Sequence, residues 1–175
     1  MPLAPHSVQT AYLLLGSNLG DRLAYVEAAE RLLERSGRVR VTARSHVYET
    51  EPTGVGPQPW YLNRVLEAQC EAGPLAILSL ALWTERALGR HRRTPKGPRT
   101  VDVDLLAWGD LIVATPRLIL PHPALALRRS ALAPLAEIAH GWRHPKLGCT
   151  PAELLRACPD PKVVRLFRPE LDDER

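Results

Sequence analysis

The hydrophobic period of the chain switches between two and about 3.6 in a set order, and that order narrows the fold more than any other feature. Ala11 to Leu15 is a short apolar run that stops at Gly16-Ser17-Asn18, which reads as a buried strand ending in a turn. Asp21 stands where a helix N-cap belongs, Leu23, Val26, Ala29 and Leu33 follow at helical spacing, and Gly37 closes the segment. Val39, Val41, Ala43, Ser45 and Val47 alternate with polar residues, as in a half-buried strand. Glu49 to Pro59 is too rich in Pro and Gly for regular structure, whereas Tyr61 to Cys70 alternates again and pairs naturally with the preceding strand. Gly73-Pro74 opens a second helix running through Leu88, with Pro at a tolerated early position. Val101 to Trp108 is a further strand, and the Gly109-Asp110 turn before Leu111 to Ala114 predicts a hairpin with it. Strand, helix, strand, strand, helix, strand is the split βαβ order. The predicted class is therefore α+β: a ferredoxin-like antiparallel sheet with helices packed on one face and long substrate loops on the other. Ser130 to Ala139 predicts one more helix, interrupted by Pro134.

A length of 175 residues suits a single domain over 1–175 with a real core. That core is expected in residues 8–140, followed by a C-terminal extension over 159–175 whose charged end, Glu170 to Arg175, should fray. The apolar run at Ala11 is short and has no basic region before it, so it does not read as a secretory signal. The longest apolar stretch, Pro74 to Trp83, is broken by Ser79 and is far short of a membrane span. Cys70, Cys149 and Cys158 are odd in number and lack CxxC spacing, which argues against both a zinc site and a disulfide framework. The expected compartment is the cytoplasm, with no membrane contact.

The sharpest local feature is Val101-Asp102-Val103-Asp104-Leu105. Alternate residues of a strand share a face, so the two carboxylates lie side by side while the apolar residues pack inward. Such a pair repels itself unless a cation sits nearby. Magnesium, commonly held by one or two carboxylates plus substrate phosphates, is one answer; a solvent-facing strand edge is the other. Five Lys or Arg residues and one His lie between Arg90 and Arg99 without an acid among them, a run suited to polyphosphate or nucleic acid, or simply to solvent. Carboxylates and arginines on one contiguous segment favour phosphoryl transfer, since guanidinium groups grip phosphate with paired donors. The chain contains no GxxxxGK[ST], so it is not a P-loop protein. A nucleic-acid module would need exposed aromatics on its sheet, yet aromatic content is 5% and Phe167 is the sole Phe.

Five segments in order carry a resemblance: Leu15-Gly16-Ser17-Asn18-Leu19-Gly20-Asp21, Tyr48-Glu49-Thr50-Glu51-Pro52, Tyr61-Leu62-Asn63, Gly97-Pro98-Arg99-Thr100-Val101-Asp102-Val103-Asp104 and Pro121-His122-Pro123. Together they resemble the 6-hydroxymethyl-7,8-dihydropterin pyrophosphokinases of folate biosynthesis, over roughly Ala11 to Ala139. The resemblance implies diphosphate transfer from ATP to the pterin's hydroxymethyl oxygen, releasing AMP. It implies two magnesium ions on Asp102 and Asp104, and catalytic arginines at Arg90 and Arg92 of a closing loop and at Arg99. It also implies ATP contacts from Glu85, Arg117, His122 and Arg128. Thr50 and Asn63 would read the pterin's hydrogen-bonding edge, with Tyr61 packed on its face. The implied partners are these two small molecules, not nucleic acid, and association with neighbouring folate enzymes is compatible with the resemblance. Two positions depart from the family's pattern: Lys96 stands where an aromatic is usual, and Ser130 where a Phe is usual. No general base is identified by the sequence.

Overall fold

The computed structural model describes residues 8–52, 56–90 and 97–169. Its elements in chain order are β1 (Gln9–Ser17), α1 (Arg22–Arg35), β2 (Val39–Arg44), β3 (Tyr48–Thr50), β4 (Tyr61–Cys70), α2 (Pro74–Ala87), β5 (Asp102–Trp108), β6 (Val113–Ala114), β7 (Ile119–Leu120), α3 (Arg129–Ile138), α4 (Pro151–Ala157) and β8 (Val164–Leu166). The main sheet runs β5-β1-β4-β3-β8, with β2 on the same edge of β4 as β3, and every pairing is antiparallel. With β2 and β3 together taken as the second strand, this is the ferredoxin-like order that the pattern of periods predicts.

Strand alternation divides the core into two layers. Ala11, Leu13 and Leu15 of β1 face α1 and α2, meeting Val26, Leu33, Ile77 and Ala81. Tyr12 and Leu14 face the other way, onto Leu132 and Leu135 of α3 and Leu154 of α4. The two early helices thus pack on one face, as the split βαβ order requires, and the later two cover part of the opposite face. What they leave bare at the far end of the sheet is where the long loops gather.

Helix ends follow local chemistry. Asp21 caps α1 by accepting from the Ala24 N–H at 3.0 Å. Pro74 starts α2 after Gly73, where its missing N–H costs nothing. Thr150 and Glu153 form a reciprocal capping box on α4. Pro134 lies inside α3 without ending it. Among the described residues no helix is long and apolar enough to cross a membrane.

Two expectations are corrected. The stretch from Val39 to Val47 is not one strand: at Ser45 the N–H still donates to Val65 C=O at 2.9 Å, but the return bond from Val65 N–H goes to the Ser45 hydroxyl at 3.0 Å, and regular pairing resumes at β3, which reaches into the segment expected to be irregular. The hairpin after Gly109 does not form either. Leu111 closes a tight turn onto the Trp108 carbonyl, but β6 then pairs with β7, not β5. A turn at Thr115-Pro116-Arg117-Leu118 suits that pairing, because Pro sets the φ that its second position wants. The outer edge of β5 is satisfied instead by side chain and loop: Val103 N–H donates to Glu85 Oε1 at 2.9 Å, and Leu106 C=O accepts from His122 N–H at 2.8 Å. The expected fraying of 170–175 lies outside the described residues.

Glu137 of α3 ties that helix to the sheet. It accepts from the His46 N–H at 3.0 Å and from the Tyr48 hydroxyl at 2.9 Å. Burial alone would raise its pKa, but these donors outweigh it and hold the group below its ordinary 4.5. A depressed folded-state pKa contributes stability that is present above the unfolded value and lost as pH falls through the folded one. Glu137→Gln should therefore cost about 1–2 kcal/mol at pH 7 by urea denaturation, with the gap to wild type closing below about pH 4. An unchanged gap at pH 3 would show that the carboxylate's charge is not what matters.

Candidate active site

Register decides which side chains meet. Asp102 of β5 lies opposite Gly16 of β1, and Gly16 lies opposite Asn63 of β4, so the three form one row across the sheet. Asp104 sits opposite Leu14 in the next row on the same face, and Val101, Val103 and Leu105 turn inward and are buried. Gly16 leaves the middle of the first row bare. A Cβ there would stand 2.6 Å from Asn63 Oδ1 and 3.8 Å from the Tyr61 ring.

Around this floor opens a cleft of about 1150 Å3. On one side stand Thr50, Tyr61 and Asn63, and Asn63 donates from its amide to the Thr50 hydroxyl at 2.7 Å. On the other stand Arg117, at the turn of the β6–β7 hairpin, then His122, Arg128 and Ser130. Arg90 follows α2 and Arg99 precedes β5, each reaching the carboxylates from the same end. Of the residues expected to act, Glu85, Arg90, Arg99, Asp102, Asp104, Arg117, His122, Arg128, Thr50, Tyr61 and Asn63 all line this one cleft. Arg92 and Lys96 lie outside the described residues.

The charges are unevenly matched. Asp102 accepts from Arg90 at 2.5 Å and from Arg99 at 2.7 Å. Burial pushes its pKa up, but the two guanidinium groups prevail and keep it low. Among the described residues Asp104 has one ion pair, with Arg128 at 3.8 Å; burial and then the Asp102 charge push it up to about 6, against Arg128, Arg90 and Arg99. Glu85 pairs with Arg90 and accepts from Val103; burial chiefly, and Asp102 next, raise it to about 7 against those two donors. Burial and the Arg128 charge lower the pKa of His122, whose Nδ1 also accepts from Ala124 N–H at 3.1 Å. Burial raises the Tyr61 phenol, opposed by Arg99 beside it.

Whether a divalent cation fits can be judged from this donor set. Among the described residues no three His, Cys, Asp or Glu side chains cluster as a metal cage. The protein offers two carboxylates, one of them short of positive charge. That suits a hard cation which completes its shell with water and phosphate oxygens, as magnesium does. The arginines beside it suit the phosphates.

The chain matches the 7,8-dihydro-6-hydroxymethylpterin-pyrophosphokinase (HPPK) family over residues 12–140. The chain belongs to this family. It is 43% identical to the 2-amino-4-hydroxy-6-hydroxymethyldihydropteridine pyrophosphokinase of Bacillus subtilis over 128 residues, 73% of this chain and 77% of that one. It is 36% identical to the enzyme of the same name from Pseudomonas aeruginosa over 159 residues, 91% of this chain and 98% of that one. Its fold is similar to that of Plasmodium falciparum HPPK-DHPS with pteroate, at a TM-score of 0.70 and 14% identity; the match covers 89% of this chain and 43% of that longer one. As an HPPK-family chain it is a pyrophosphokinase, a transferase of folate biosynthesis.

Sequence reasoning gave Asn18 no role, and the structure does. The side chain is fully buried: its Oδ1 accepts the Arg99 N–H at 2.8 Å, and its amide donates to Pro59 C=O at 3.1 Å and Gln58 Oε1 at 3.3 Å. It therefore pins Arg99's backbone to the loop before Tyr61. A buried Asn in a turn motif hinted at this, but its partners are about 40 and 80 residues away. Leu78 and Leu82 of α2 also line the cleft, and in the sequence they were indistinguishable from core.

Because the Gly16 site is closed to a Cβ by a short, hydrogen-bonded side chain, Gly16→Ala should displace Asn63. The expected cost is about 1–3 kcal/mol in urea denaturation, with shifted side-chain amide resonances for Asn63. Gly141→Ala, where a Cβ meets nothing within 4 Å, should stay within about 0.5 kcal/mol of wild type. Equal effects at the two glycines would contradict the steric reading.

Proposed function

We infer that this chain transfers diphosphate from ATP to the hydroxymethyl oxygen of 6-hydroxymethyl-7,8-dihydropterin, giving AMP and the pterin diphosphate. The observation that carries this reading is the division of the cleft. Carboxylates with Arg90, Arg99, Arg117 and Arg128 occupy one part, while Thr50, Tyr61 and Asn63, two hydrogen-bonding groups and one ring, occupy the other. A polyphosphate suits the first and a flat heterocycle the second.

In the reaction, the hydroxymethyl oxygen attacks the β-phosphorus of ATP in line, the bond from that phosphorus to the oxygen bridging the α-phosphate breaks, and AMP leaves. The alcohol proton passes to solvent water as the new oxygen–phosphorus bond forms, and AMP leaves with the electron pair of the broken bond. Asp102 and Asp104 would hold magnesium, two ions in the reading taken from the family, which neutralises phosphate charge as a Lewis acid. Arg90 and Arg99 stand within reach of the same phosphates, and Arg92 is assigned with them on resemblance. Glu85 holds Arg90 and the edge of β5, so its effect on ATP runs through the arginine. Arg117, His122 and Arg128 face the nucleotide side. Asn63 and Thr50 offer the pterin donors and acceptors already aligned to each other, and Tyr61 offers its ring. Much of the rate then comes from placing two bound reactants and stabilising charge, with little covalent chemistry for the protein.

In this reading the chain is one pyrophosphokinase domain acting in the cytoplasm, which its free thiols at Cys70, Cys149 and Cys158 support. Association with other folate enzymes is supported by an Arabidopsis thaliana relative, 38% identical over 126 residues, that is named a folate synthesis bifunctional protein.

Incubation with ATP, magnesium and the hydroxymethyl pterin should yield AMP and pterin diphosphate in equal amounts by chromatography. Asp102→Asn and Asp104→Asn should each slow the reaction roughly a hundredfold or more. ADP in place of AMP, or no pterin-dependent product from folded protein, would sink the reading.

A further inference from the structure

A second charged cluster lies behind the wall formed by Thr50, Tyr61 and Asn63, on the opposite side of the sheet. At its centre is the buried carboxylate of Glu49. Glu49 Oε1 accepts from Arg22 at 3.0 Å, and Oε2 accepts from Arg165 Nε at 3.0 Å and Nη2 at 2.5 Å. Arg22 also donates to the Trp60 carbonyl at 2.8 Å, and the Arg165 guanidinium lies 4.8 Å above the Trp60 ring. Phe167 packs against the inner core, 6.0 Å from Arg22. Burial pushes the Glu49 carboxyl up, but hydrogen bonds from Arg165 and Arg22 outweigh it and hold the group below its ordinary pKa.

The position of this cluster is telling. Glu49 immediately precedes Thr50, and Trp60 immediately precedes Tyr61. Because neighbouring strand residues point to opposite faces, whatever holds Glu49 and Trp60 also sets the height of Thr50 and Tyr61. β3 is three residues long and cannot hold itself rigidly. It is braced by β8, with Thr50 opposite Val164, Glu49 opposite Arg165 and Tyr48 opposite Leu166. The bracing continues one residue further, where Glu51 N–H donates to Val163 C=O at 3.1 Å and Val163 N–H to Glu51 Oε2 at 2.7 Å. β8 lies beyond residue 140, where the family match ends.

We propose that the Arg22–Glu49–Arg165 cluster, closed by the C-terminal strand, is a positioning device that holds Thr50, Tyr61 and Asn63 for the pterin, with Arg165 as its positioning residue. The inference rests on reading that wall as the pterin side of the cleft. Arg165 touches no reactant; it acts through Glu49 and the ring of Trp60. Its planar fork matters, since Lys could keep the charge but not the paired bonds. The nucleotide side is built on β5, the β6–β7 hairpin and the start of α3; α3 is joined to the C-terminal segment at Asp160, which accepts from Arg129 N–H at 3.0 Å, five residues before Arg165.

The test is steady-state kinetics on the full chain with ATP and hydroxymethyl pterin varied separately, for wild type, Arg165→Ala and Arg165→Lys, alongside their melting temperatures. Arg165→Ala should raise the KM for the pterin roughly tenfold, while the KM for ATP moves less than about twofold. Arg165→Lys should fall between Ala and wild type for the pterin alone. Parallel changes in both KM values, or no change in either, in a protein folded at the assay temperature would overturn the proposal. If the Ala variant unfolds, the Lys variant carries the same test, and an even effect on both substrates overturns it equally. A wild type that makes no pterin diphosphate would fail at the underlying reading instead, a result visible before any variant is assayed.

Discussion

The cleft depends on the register of three strands. β1 lies between β5 and β4, and its pairing puts Asp102, Gly16 and Asn63 in one row. Side chains on a strand alternate, so a slip of one residue on either side would turn both carboxylates into the apolar layer against α1 and α2. The burial of Leu13, Leu15, Val101, Val103 and Leu105 on that inner face makes such a slip costly. The hydrophobic core therefore aims the catalytic face without touching it. Gly16 completes the arrangement, because its missing side chain leaves room for Asn63 and for the approach of a flat ligand.

Electrostatics then divides the labour. Two guanidinium groups satisfy Asp102, whereas Asp104 is left with one distant partner. The site thus holds an under-compensated carboxylate facing a cleft rimmed with arginine. In the proposed reading a magnesium–polyphosphate complex would bring both signs of charge at once, giving Asp104 a cation and the arginines a further anion. Burial in a cleft makes each of these interactions stronger than it would be in water.

The heterocycle side is held by a different logic. Thr50 ends the three-residue β3, and Tyr61 and Asn63 stand at the start of β4 where β3 pairs with it, a corner held from behind: Asn18 pins the loop before Tyr61, and Glu49 gathers Arg22, Arg165 and, through them, Trp60. Polar groups buried in this way are costly unless every partner is present, so they constrain geometry strongly when complete. Ser130 faces the same cleft from the start of α3.

Much was legible in the sequence by itself. Period-two and helical patterns gave β1, α1, β4, α2 and β5 and hence the ferredoxin-like order. The alternation Val101 to Leu105 put both aspartates on one face, and the motifs led to cleft residues from Gly16 to Arg128. These readings succeeded because each depends on spacing within one segment. Other features needed the tertiary structure: the break at Ser45, the pairing of β6 with β7, α3 and α4 on the second face, Asn18's bonds and the Glu49 cluster. The strand breaks at Ser45 because its hydroxyl takes the Val65 N–H, and β5 forms no hairpin because Glu85 and His122 already occupy its outer edge. Such choices turn on which distant group arrives to satisfy a backbone donor or a buried charge, and no local pattern encodes that arrival.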